Sequence, residues 1–157
     1  MLYAALGDTP YNIMLLLHVL TAFAAFAPMF VHPILASQSR SLDIENRGRI
    51  LTAMAGNGRR IYAPALLVTG ILGFGVAGMS KIPGTDELAW KMSQGWLISA
   101  FVVWVAMNGL LHAVILPSER KLAEGDESVQ RKLDVAGGAV SVLLVVMLYL
   151  MIFKPGV

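Results

Sequence analysis

Charged residues fall in clusters along this chain, and four long apolar runs lie between them. Asp, Glu, Lys and Arg are absent from 9–39, 61–80, 92–118 and 135–153. The last run, at 19 residues, is the shortest. About 20 helical residues cross a hydrocarbon core of about 30 Å. A soluble four-helix bundle would carry charge along the outer face of each helix. Barrel strands would be shorter and would alternate. The pattern therefore predicts an all-α integral membrane four-helix bundle. It forms a single domain over 1–157, with spans at about 11–36, 61–79, 95–117 and 135–153.

The connecting segments differ in character. In 42–60, Leu42, Ile50, Leu51 and Met54 are apolar among charges, and Glu45 stands four before Arg49. That predicts a surface helix leading into the second span, interrupted near "GNGRR". In "SKIPGTDELAWKMSQGW", Pro83 and Gly84 form a turn. Trp90 and Trp96 suit an interfacial belt. "EGDES" at 124–128 reads as a tight turn. "TGILGFGVAG" in the second span and Gly137, Gly138 and Ser141 in the fourth predict close helix contacts. Pro28, Pro33 and Pro64 predict kinks. No internal repeat is evident.

Composition sharpens this picture. Hydrophobic residues make up 57% of the chain and charged residues 14%, against about a quarter charged in ordinary soluble domains. There is no cysteine, which excludes disulfides, thiolate metal sites and cysteine nucleophiles. A net charge of +2 gives no basis for nucleic-acid binding; lipid headgroups are the natural partners of the juxtamembrane arginines. Of the 12 Lys and Arg residues, nine lie in the loops after spans 1 and 3. Only Lys81, Lys91 and Lys154 lie on the other side. Cytoplasmic loops collect Lys and Arg, so this bias predicts N-out, C-out topology; the expected location is the bacterial cytoplasmic (inner) membrane. The first run is not a signal peptide by pattern, since no basic residue precedes it and its apolar part is too long.

Polar groups inside a span need a reason. The candidates are His18, His32, Asn108 and His112, with Thr21, Thr69 and Ser99 as minor members. His18 and His32 are 14 residues apart, about 21 Å along a helix, so they cannot share one metal ion. His18 is the deeper, and is expected to have a cofactor or a hydrogen-bonding partner on a neighbouring span. His32 and His112 fall within about one turn of the same depth and are expected to lie close together. Two axial ligands of one haem iron sit about 4 Å apart, whereas His18 and His112 differ by about 15 Å in depth. Met14 precedes His18 by four and Met29 precedes His32 by three, each pair on one helix face. Thioether with imidazole suits Cu(I). No span core holds an acidic residue, which weighs against a proton pump or cation antiporter.

"LLLHVLTAFAAFAPMFVHPIL", "RRIYAPALLVTGILGFGV" and "GWLISAFVVWVAMNGLLHAVILPSERKLAEG" resemble the first three spans of HemJ-like protoporphyrinogen oxidases. The first also resembles that of the related CopD-like copper-resistance membrane proteins. The resemblance covers most of the chain at the level of pattern. It implies a haem or porphyrin site with His18 as ligand, Arg59 and Arg60 as the paired arginines, and His112 as the late third-span histidine. The family's histidine and lysine after Trp-Leu are absent, since Ile98, Ser99 and Ala100 follow Trp96-Leu97. This implies a relative of the fold with no assigned enzymatic activity.

Three functions follow as expectations. The first is haem b or porphyrin binding, with redox activity. The second is copper handling through Met14, His18, Met29 and His32. The third is an accessory role, packing against other membrane subunits or a second copy.

Overall fold

The computed structural model describes residues 6–156. The described residues form helices and short turns, with one isolated antiparallel bridge between Lys81 and Leu88. Four helical rods, Thr9–Ser39, Ile44–Gly78, Gly95–Ala123 and Glu127–Phe153, are long and apolar enough to cross a bilayer. The first rod is α1 (Thr9–Ser39). The second joins α2 (Ile44–Asn57), a π-helical turn (Gly58–Tyr62) and α3 (Ala63–Gly78). The third joins α4 (Gly95–Leu110), a second π turn (Leu111–Ile115) and α5 (Leu116–Ala123). The fourth is a 3-10 turn (Glu127–Val129) followed by α6 (Gln130–Phe153).

Local chemistry explains the boundaries. Asp43 caps α2 by accepting the Asn46 backbone N–H at 2.9 Å, which holds its carboxyl below the ordinary 3.8. Glu45 and Arg49 pair at 2.7 Å, as their spacing predicts. The helix expected over 42–60 is present, but "GNGRR" does not interrupt it. The rod instead widens into a π turn there. Pro64 explains why: it has no N–H, and in an α-helix its ring would press on the carbonyl of Arg60. The turn closes instead by the Ala63 N–H on the Gly58 carbonyl. Pro117 acts alike, and there the Leu116 N–H reaches the Leu111 carbonyl. The turn predicted at 124–128 is also present, with Gly125 at φ +94°.

In the bundle, α1 lies along α3 and α4 along α6. At one end, here the basic end, α2 packs on α5, and Arg47 pairs with Glu127 at 2.6 Å. At the other, terminal end, the Leu6 N–H donates to the Lys81 carbonyl at 2.9 Å, and the Lys154 ammonium lies 4.6 Å over the Trp90 ring. Both ends of the described chain thus share one side, and the two basic loops share the other. The expected tryptophan belt needs correction. Trp96 is 5% exposed, stacked edge-on to Trp90, and its indole N–H donates to Gln94 within the molecule. Met107, Leu66, Ala100 and Leu144 lie in the core, whereas Phe23, Ile71, Val145 and Ile152 cover the outside. An apolar exterior on helices that satisfy their own backbone groups is a surface made for lipid.

A candidate ligand cavity at the basic end

The two first-span histidines sit in different surroundings. The His18 Nδ1–H donates to the Thr69 carbonyl of α3 at 2.8 Å. That carbonyl already belongs to a helix, so it must be reachable from the side. Gly73, four residues on, leaves the space: a β-carbon there would lie 3.1 Å from His18 Cε1. The arrangement recurs one turn away. The Trp104 indole N–H donates to the Leu66 carbonyl at 2.8 Å, and a β-carbon on Gly70 would fall 2.2 Å from that ring. Met14 packs similarly on Gly75. His18 therefore has the interhelical partner expected of it. It fills the α1–α3 contact and lines no part of the cavity described next.

That cavity lies in the basic-end half and has a volume of about 370 Å³. It falls within the range of small-molecule sites. His32 on α1 donates its Nδ1–H to Glu119 Oε1 on α5 at 2.7 Å. The side chains are 13% and 8% exposed. Glu119 Oε2 is buried and has no hydrogen-bond donor. It stands against Gly58, where a β-carbon would lie 2.8 Å from it. Tyr62 meets the His32 ring edge-on, with centroids 5.5 Å apart. The remaining walls are mostly apolar and include Met29, Met54 and Met107.

The π turns create this constellation. Met54, Gly58, Tyr62 and Leu66 all line the cavity, as do Met107, Leu111, Ile115 and Glu119. Each set steps by four over 12 residues. In a pure α-helix that step drifts about 40° each time and carries the last residue off the wall. One π turn adds about one residue per set and cancels most of the drift. The sequence carries the device twice, as Met-x-Gly followed by seven residues and Pro, at 54–64 and 107–117. The chain thus sets the same spacing twice, and the two copies run in opposite directions.

The same turn corrects the reading of the third span. His112 and Glu119 are seven residues apart and would share an α-helical face. With a π turn between them, Glu119 is buried and His112 is exposed. The partner of His32 is Glu119, and His112 does not line the cavity. The span core expected to lack acid therefore continues into a helix whose buried carboxylate faces the first span. Glu119 follows the charge-free run by one residue, in "PSER", and was readable only as loop. Asn108 donates to the Trp104 carbonyl.

The proposed ligands divide accordingly. His32 and Met29 share the cavity wall, whereas Met14 and His18 belong to the α1–α3 contact near the terminal end. Arg59 and Arg60 are exposed on the π turn whose Gly58 and Tyr62 line the cavity. They stand nine or more residues along the rod from Thr69, the partner of His18. Among the described residues, no group of three His, Asp or Glu is close enough to hold a metal ion.

Chemically, the dyad has one ring nitrogen, His32 Nε2, left over once Nδ1 is engaged, and one carboxylate oxygen without a donor. With His32 neutral and protonated on Nδ1, both are electron-pair donors. Their natural complement is a Lewis acid or a hydrogen-bond donor. Comparison with protein-family models, characterised proteins and solved structures returns no match.

Proposed function

We propose that this protein is a multi-pass inner-membrane protein, N-out and C-out, that binds a redox cofactor of haem or porphyrin type in the basic-end cavity, with His32 as the ligating residue. The observation that carries the reading is the His32–Glu119 bond. A carboxylate on Nδ1 orients the ring and leaves Nε2 as its free nitrogen, as outer partners of metal-bound histidines do. The thioether-rich apolar walls suit a tetrapyrrole, and Arg59 and Arg60, exposed beside Gly58 and Tyr62 of the wall, would be the residues to pair with its propionates. The donor set at His18 does not fit as well: its ring is packed against Gly73 and lies far from both arginines. A bound haem would supply one-electron chemistry; the chain holds the imidazole, orients it and limits water.

An absorption spectrum of protein purified in mild detergent tests this directly. We expect a Soret band that His32→Ala removes and His18→Ala keeps. A wild-type protein without Soret absorption after expression with haem precursors would end the tetrapyrrole reading. Met29, one turn from His32 on the same wall, favours Cu(I) as the second reading, and metal analysis of the same sample separates the two. The orientation is checked by a reporter fused after Val157, expected to be active outside the cytoplasm.

A further inference from the structure

The cavity has walls on α1 and on α6, yet these two helices make no extended contact with each other. The other neighbouring pairs touch more, α1 with α3, α4 with α6 and α2 with α5 extensively and α3 with α4 least. The cavity is also partly open. On the α6 side its wall includes Gly137, Gly138 and Ser141. A β-carbon on either glycine would meet nothing within 4 Å, so these glycines are not there for helix contact as Gly70 and Gly73 are. The polar pair, half-buried His32 and buried Glu119, is carried by α1 and α5, and the unpartnered Oε2 lies against Gly58 of the second rod. Toward the basic end the α6 wall continues into Gln130 and Asp134, which bond to each other.

We propose that the cavity fills sideways from the bilayer, through the gap between α1 and α6, and that Gly137 and Gly138 form the sill of that gap. The molecules admitted are lipid-soluble ones with an apolar body and a hydroxyl head, whose O–H donates to Glu119 Oε2. An acceptor-only or anionic head is disfavoured, because Glu119 Oε2 presents lone pairs and has no donor. This inference rests on the cavity being a ligand site, and not on which ligand is resident.

The test uses a long-chain alcohol bearing a diazirine, dissolved in phosphatidylcholine vesicles that contain the full chain. After photolysis, mass spectrometry locates the label. We expect label on Met29 and Tyr62 as well as on the outward residues Val145 and Ile152. Gly138→Phe should remove most of the label at Met29 and Tyr62 and leave Val145 and Ile152 unchanged. Gly137→Leu, a smaller change, should act in the same direction, and retained outer-face labelling reports that each variant is folded. Label confined to the outer face would overturn the proposal. So would inner label that persists in both variants, or inner label obtained equally with a water-soluble diazirine. None of these outcomes depends on a Soret band or bound copper, so failure here is separable from failure of the cofactor reading.

Discussion

His18 and His32 stand on one helix, 14 residues apart, and they do opposite things. His18 closes a contact. Its Nδ1 is bound to a backbone carbonyl and its ring lies on a glycine. His32 borders an opening. Its Nδ1 is bound to a carboxylate that keeps an unsatisfied oxygen, beside a cavity of about 370 Å³. The same division runs through the whole bundle. At the terminal end, glycines on α3 let His18, Met14 and Trp104 approach to van der Waals distance. At the basic end, π turns rotate the second and third rods so that one face of each lines the cavity. An in-membrane histidine is therefore no signal of a site by itself. What distinguishes the two is whether the space beside the ring is filled.

The strongest test of the contrast strikes the closed half. Gly70→Val would drive a β-carbon into Trp104, within 2.2 Å of its ring, and displace the indole from the Leu66 carbonyl. We expect a loss of about 3 kcal/mol, the upper part of the usual overpacking range. Unfolding in mixed micelles measures it. A loss near zero would show that this end is not closely packed.

In the open half, Glu119→Ala should cost roughly 1–3 kcal/mol, because His32 is left buried without its acceptor. Glu119→Gln restores an acceptor for the His32 N–H, so it should recover much of that stability. If our functional reading holds, Gln should still bind cofactor less well than the wild type, since a neutral amide raises imidazole basicity less than a carboxylate does. Equal stability of the Ala and Gln variants would break the claim that this bond matters.

His18→Phe keeps a ring on Gly73 and deletes only the bond to Thr69. Interhelical hydrogen bonds in membranes average about 0.6 kcal/mol, and we expect a loss of that order with cofactor content unchanged. Smallest of all, Gly138→Ala has open space around the new methyl group and should be neutral, or stabilising by a few tenths of a kcal/mol through reduced backbone freedom. Gly70 and Gly138 would then mark the two extremes of what glycine does in one bundle.

Much of this molecule was legible in the chain. Four charge-free runs determined four apolar rods, since no other backbone arrangement satisfies its own polar groups over such lengths in lipid. The Glu45–Arg49 pair, the turn at Gly125 and the partner owed to His18 followed from spacing and from the cost of bare polar groups. The candidate site did not follow. Helical-wheel reasoning assumes one angular step per residue, and each π turn breaks that assumption once. His112 was matched to His32 by depth alone, which leaves rotation open, and Glu119 went unnoticed in a charged loop. Trp96 failed for a related reason: an aromatic near a helix end can face lipid or the neighbouring helix, and only packing decides which. The sequence by itself determined what each segment is made to cross, because that depends on the sum of its residues. Only the tertiary structure decided which polar groups meet, because that depends on the rotation of each helix about its axis, which one extra residue in a turn can change by about 100°.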